Sequence, residues 1–389
     1  DSTVRIPALM QACAAARMPA VAMTDLNNVF GLVKFYRKAL AAGVKPVIGL
    51  DLRIFNDDEP NRPFTLLLLV QNADGYRNLS QLVTRSYIEG QLRGAPMARR
   101  EWLTAESCAG LIALSGGLHG DIGHALHAHH LEQARELLDG WRSVFPDRFY
   151  LELVRTGRSG EEDCVRASVE LAGATGTPVV ATNDVRFLSR DDFNAHEARV
   201  CIHEGRVLAD SERPRHYSAQ QYLRTPEEMA ELFADVPEAL ANTVEIARRC
   251  SLDLRLGESV LPAFPVPEGQ NEEEFLVAEA KRGLDAALER IFKTRDIPAK
   301  QRAPFRAPYD ERLDVELGVI RSMGFPGYFL IVADFIRWAR ENDVPVGPGR
   351  GSGAGSLVAW VLGITDLDPL QHDLLLSLIH ISEPTRLQV

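Results

Sequence analysis

Ala20-Val-Ala-Met-Thr24, Pro46-Val-Ile-Gly-Leu-Asp-Leu-Arg-Ile54 and Phe64-Thr-Leu-Leu-Leu-Leu-Val70 are apolar runs too short for helices and bounded by turn residues. Three more follow at Gly110–Leu114, Arg148–Val154 and Pro178–Thr182. Between the runs, Ile6–Ala16, Leu131–Val144 and Glu161–Ala174 carry the 3.6-residue periodicity of amphipathic helices. Strand and helix alternating this often predict an α/β unit with a largely parallel sheet, open to closure as a barrel. In such folds chemistry gathers at the C-terminal ends of the strands. Asp25, Asp51, Asn183 and Asp184 fall there. The plain alternative is that they cap the helices that follow.

Working outward, the 389 residues exceed one ordinary domain, so two or three units are expected. A composition of 46% hydrophobic and 25% charged residues belongs to a globular chain, not a disordered or fibrous one. No stretch nears the roughly 18–20 uninterrupted apolar residues of a membrane helix. The start, Asp-Ser-Thr-Val-Arg-Ile, has no basic segment before an apolar core, so no secretory signal is read there. Cys13, Cys108, Cys164, Cys201 and Cys250 are scattered and form no CxxC pair, which points to a reducing cytoplasm and away from disulfides or structural zinc. A net charge of -11 excludes wrapping nucleic acid with the whole surface but leaves room for a local basic groove. The basic residues between Lys281 and Arg312 are either such a groove or a solvated helix face.

From Thr225 the pattern turns helical. Thr225-Pro-Glu-Glu228 supplies an N-cap, a proline at the first helical position and a glutamate three residues past the cap. Asp235–Cys250 reads as a second helix, Leu261–Gly269 as a proline-rich linker, and Asn271-Glu-Glu-Glu-Phe as the next helix start. Further on come a helix at Tyr328–Glu341, a short Val344-Pro-Val strand, and then Gly347-Pro-Gly-Arg-Gly-Ser-Gly-Ala-Gly-Ser356 running into the apolar helix Leu357–Leu362. A glycine-rich turn entering a helix exposes backbone N–H groups, and missing side chains let a polyphosphate approach. The expected triphosphate contacts are Gly349, Arg350, Gly351, Ser352, Gly353, Gly355 and Ser356. No Gly-Lys-Ser/Thr closes a Walker loop, and no convincing βαβ unit supports a dinucleotide fingerprint.

These segments carry a resemblance. Gly324-Phe-Pro-Gly-Tyr-Phe-Leu-Ile-Val-Ala-Asp-Phe-Ile336, Pro348–Ser356 and Gly363-Ile-Thr-Asp-Leu-Asp-Pro-Leu370 resemble the start of the palm in bacterial DNA polymerase III alpha subunits. Ala22–Tyr36, Lys45-Pro-Val-Ile-Gly49 and Ala181-Thr-Asn-Asp-Val-Arg-Phe187 resemble that family's PHP domain. The resemblance implies a PHP-type distorted (β/α) barrel over residues 1–224. A helical connection and linker over 225–270 and a partial polymerase beta-like nucleotidyltransferase palm over 271–375 complete it. The implied function is template-directed DNA synthesis by the catalytic alpha subunit of a replicative holoenzyme. With it come Mg2+ in the intact enzyme, primer–template DNA and dNTP, a proofreading exonuclease docked on the PHP domain, other replicase subunits, no membrane and a cytoplasmic location.

The chain departs from the family at definite places. Nothing before Asp1 supplies the first PHP metal motif. Leu26 after Asp25, and Arg186 in Asn183-Asp184-Val185-Arg186, stand where metal-binding members carry histidine. A metal-free PHP domain is therefore expected, and His124, His127, His129 and His130 read as an exposed helix or loop. The aspartate pair that would hold Mg2+ does not follow Asp368, so no catalytic residue is assigned. Asp366 and Asp368 read as turn and cap residues, and residues 376–389 as a non-native read-through tail. A chain of this kind is expected to bind nucleotide weakly and not to extend a primer. The competing readings are a PHP-type metal-dependent phosphoesterase or proofreading exonuclease, and a non-catalytic scaffold for a separate exonuclease subunit.

Overall fold

The apolar runs become strands because they bury side chains on the faces of one sheet, the first of them, Ala20–Leu26, only in part. The computed structural model describes residues 2–210, 212–257, 261–349 and 351–374. They fall into two units, residues 1–255 and 256–389. In the first, the chain runs α1 (Ile6–Ala15), β1 (Ala20–Leu26), α2 (Leu32–Ala41), β2 (Lys45–Ile54), β3 (Phe64–Val70) and α3 (Ala73–Ile88). A small β4 (Gln91–Leu92) and β5 (Ala95–Pro96) hairpin precedes β6 (Leu111–Leu114), α4 (Asp121–His127), α5 (Leu131–Val144) and β7 (Phe149–Val154). Then come α6 (Glu161–Thr175), β8 (Val179–Thr182), α7 (Phe193–Glu204), α8 (Pro226–Leu232) and α9 (Pro237–Arg249).

The six-strand order is β1-β2-β3-β6-β7-β8. Only β3 runs against its neighbours; the other pairings are parallel. No ladder joins β1 to β8 among the described residues, so the sheet curls as a half-barrel. Strand period places Leu50, Leu52, Leu66, Leu68, Ala113 and Leu151 on one face, packed beneath the helices with Phe35, Trp141 and Phe145. Val47, Leu69, Ile112, Leu114, Tyr150 and Val180 take the other face, where Ile246 of α9 and Cys250 just past its end meet them. Gly49 permits the close β2–β3 pairing, since a Cβ there would lie 2.4 Å from the Leu68 carbonyl oxygen.

The second unit contains α10 (Glu272–Thr294), α11 (Ala299–Ser322), α12 (Pro326–Glu341) and the short α13 (Leu357–Val361). Leu284, Leu288, Leu313, Ile320, Phe329, Leu357 and Val358 form its core. Gly283 lets α10 and α13 cross, because a Cβ at that position would fall 2.1 Å from the Val361 carbonyl oxygen. The expected capping box forms at Thr225/Glu228, and the helix start at Asn271 forms one with Glu274.

Two expectations need correction. The helices of 225–270 are not a connection: α9 is tied to the first sheet by Asn242 Nδ2 donating to Val179 O at 2.8 Å and Lys45 Nζ to Ala247 O at 2.7 Å. Past α9, residues 250–257 and the proline-rich residues 261–269 are without regular structure. Val344-Pro-Val is no strand. Pro345 has no N–H to donate, and the described residues of this unit contain no strand to pair with it. The expected tail, 376–389, lies outside the described residues.

Leu68 is fully buried in the central β3. Leu68→Ala should lower unfolding stability in urea by about 2–5 kcal/mol, whereas Ile88→Ala, at a site 75% exposed, should stay within about 0.5 kcal/mol.

Candidate functional site

A period of two along each strand also fixes what lines the concave face. Val47 leads through Gly49 to Asp51 on β2, Tyr150 to Glu152 on β7, and Val180 to Thr182 on β8. The face is thus apolar against α9 and acidic at the strands' C-terminal ends. There it borders a cavity of about 1770 Å³ lined also by Asp25, His119, Arg158, Asp184 and Arg186. Asp25, Asp51, Asn183 and Asp184 are therefore not helix caps. The α-helices that follow β1 and β8, α2 and α7, have Gly31 and Asp192 at their N-caps, with no side-chain capping bond.

Within the cleft Asp184, Glu161 and Glu152 each accept hydrogen bonds. Asp184, at φ +41°, receives Arg186 at 2.6 Å, Arg158 at 3.0 Å and Gln221 Nε2 at 2.8 Å. Arg158 also reaches buried Glu161 at 2.6 Å, and Glu161 accepts from Thr156 N at 2.7 Å. Thr182 Oγ1 donates to Glu152 at 2.6 Å. Asn183 Nδ2 donates to the carbonyls of Gln220 and Tyr222 at 3.0 and 2.7 Å. Burial first, and the neighbouring Glu152 and Asp184 next, push Asp51 up to about 8, against the lowering influence of Arg186. Burial likewise pushes Glu152 up to about 7.

This donor set does not fit a metal ion. Arginine cannot ligate, and two guanidinium groups already supply the positive charge the carboxylates would otherwise take from a cation. Leu26, 41% exposed at the end of β1, offers no donor atom. No group of three or more His, Cys, Asp or Glu poised for a metal occurs among the described residues. His124 of the histidine group sits edge-on to Phe64, 5.8 Å between ring centroids. Glu152 and Arg158 escape a reading of the sequence. A lone acid in the apolar run Phe149–Val154 was the available signal for Glu152; nothing marks Arg158.

The glycine-rich loop divides into two halves. Gly347, Pro348 and Gly349 are exposed, and a Cβ on Gly347 or Gly353 would meet nothing within 4 Å. Gly349 has φ +120°, and a Cβ there would lie 2.9 Å from Thr365 Cγ2. Arg350 lies outside the described residues. Gly351–Gly355 forms one 3-10 turn. Gly355 and Ser356, by contrast, are buried. Ser356 caps α13, accepting from Ala359 N at 3.0 Å, and donates to Glu316 Oε2 at 2.9 Å. Glu316 also accepts from Leu357 N at 3.0 Å, Val358 N at 3.1 Å and Arg312 Nε at 2.6 Å. The N-terminus of α13, expected to await a phosphate, is met by a carboxylate of the chain itself. Asp368 accepts from Leu370 N at 3.0 Å and Tyr309 OH at 2.7 Å, as a turn residue does, and Asp366 pairs with Arg340 at 2.8 Å.

The basic stretch reads as solvated helix faces: Arg282 pairs with Glu279, and Arg306 with Asp285 and Asp310. No single helix among the described residues is long and apolar enough to cross a membrane; α11 and α12 meet both conditions only together, across a 112° bend.

Comparison with known proteins matches residues 1–156 to the PHP domain and residues 275–379 to the bacterial DNA polymerase III alpha NTPase domain. Among curated relatives, DNA polymerase III subunit alpha of Pseudomonas aeruginosa is 52% identical over 375 residues. That of Escherichia coli strain K12 is 51% identical and that of Vibrio cholerae 49%. Each alignment covers 96% of this chain, and the chain spans 32% of each relative's length.

With Asp51 and Glu152 raised as a pair, the folded state holds protons that the unfolded state has lost, so stability falls as pH rises from about 4 towards about 8. Asp51→Asn should flatten that decline, raising Tm at pH 8.5 by roughly 2–4 °C for each kcal/mol recovered and leaving it little changed at pH 4. Thermal melts across pH check this.

Proposed function

Because this chain belongs to the bacterial DNA polymerase III alpha family, we propose that it serves template-directed DNA synthesis as part of the catalytic subunit of a cytoplasmic replicase. In the intact subunit the substrates are primer–template DNA and dNTP, with Mg2+ supplied to the reaction. The glycine-rich loop is the face offered to the incoming triphosphate. What carries this reading is the open backbone at Gly347 and Gly353, on a loop inside the segment that matches the NTPase domain. A backbone bare of Cβ atoms lets phosphate oxygens reach N–H groups directly. Of the contacts expected from sequence, Gly349 and Gly353 suit this role. Arg350, Gly351 and Ser352 belong to it by position, while Gly355 and Ser356 serve as buried anchors.

The PHP unit, on this reading, is a metal-free scaffold, and a proofreading exonuclease subunit is the partner it would dock. The competing metal-dependent phosphoesterase requires a cation where Arg158 and Arg186 now meet Asp184. Elemental analysis of the purified chain should find no stoichiometric tightly held metal; a bound equivalent of zinc or manganese would restore the phosphoesterase reading.

Primer extension by the full-length subunit tests the polymerase reading. Gly353→Ala should leave Tm unchanged and raise the KM for dNTP roughly tenfold, by holding the phosphates off the backbone. Gly349→Ala should instead cost about 1–2 kcal/mol of stability through its left-handed backbone and the Thr365 contact. An unchanged KM in Gly353→Ala would remove the loop from the triphosphate site.

A further inference from the structure

We propose that Glu316 is the positioning residue of the glycine-rich loop, an anionic clip on α11 that fixes the loop's C-terminal half and leaves Gly349 and Gly353 as its accessible backbone. The inference rests on the reading of the loop as a triphosphate site. Glu316 is 2% exposed, and a carboxylate so placed must be matched by donors. Ser356 Oγ, Leu357 N and Val358 N provide three, all from the stretch that joins the loop to α13. Arg312, one turn earlier on the same helix, supplies the opposing charge and donates through Nη2 to Gly355 O at 3.0 Å. The pair therefore grips one short segment from both polarities: carboxylate to its N–H groups, guanidinium to its carbonyl.

Two consequences follow from the chemistry. The orphan N–H groups at the start of α13 are already satisfied, so a triphosphate cannot use them and must bind upstream in the loop. The position of that upstream backbone is then set by α11 through Glu316, not by the glycines, which by themselves fix little. Glutamine in place of Glu316 keeps the shape but has one acceptor oxygen instead of two. One amide N–H would go unmatched, and Arg312 would lose its counter-charge. Aspartate keeps the charge but stops one methylene short of the segment.

The test uses the full-length subunit with Glu316→Gln and Glu316→Asp, measuring dNTP KM, kcat, primer–template affinity and Tm. The expected result is a KM raised roughly tenfold to a hundredfold in Glu316→Gln and less in Glu316→Asp, at unchanged primer–template affinity. Should Glu316→Gln fail to fold, Glu316→Asp decides by the same KM. Wild-type KM in the folded variants, with Tm alone reduced, would make Glu316 merely structural and overturn the proposal. Absence of primer extension by the wild-type subunit would instead overturn the polymerase reading, and this inference with it.

Discussion

A charge withdrawn from water has to meet its opposite within a few ångström, and both units are arranged around that requirement. In the first, Arg158 and Arg186 converge on Asp184 at the acidic end of the sheet. In the second, Glu316 occupies the N-terminus of α13, with Arg312 behind it. Each is a place where a ligand of the same sign would otherwise sit: a cation among carboxylates, an anion against helix N–H groups. The chain supplies both itself.

The neutralisation works only because the backbone delivers these groups to one point. Sheet geometry does so in the first unit: the period of two that sends Val47, Tyr150 and Val180 towards α9 sends Asp51, Glu152 and Thr182 to the open end. The apolar end is closed by α9, so the acids gather in a partly enclosed space where burial raises Asp51 and Glu152. In the second unit, Gly283 lets α13 lie against α10, and α11 then presents Glu316 to the start of α13. The loop upstream stays exposed because nothing in that packing covers it.

Much of this was legible beforehand, and the exceptions have physical causes. All six strand runs appear within two residues of their expected bounds, since short apolar runs between turn residues have few other ways to bury themselves. Thr225 caps as read and the helix expected at Asn271 starts there, because capping and first-turn charge are local. Asp25, Asp51 and Asp184 were open to a second reading as helix caps; which one holds depends on the sheet's curl, which brings Glu152 and Asp184 to bear on Asp51. Ser356 was expected on the ligand side. It is turned inward because Glu316, 40 residues away in the chain, takes its hydroxyl.

Sequence alone thus determined the strand–helix alternation, the Thr225 cap, the glycine-rich loop and the presence of Leu26 and Arg186, which carry no metal-ligating atom, beside Asp25 and Asp184. Those are properties of a residue and its near neighbours. Tertiary structure decided the placement of α9 within the first unit, the pairing of Arg158 and Arg186 with Asp184, and the division of the loop at Gly355. Each depends on groups far apart in the chain meeting at a distance of about 3 Å, which no local pattern encodes.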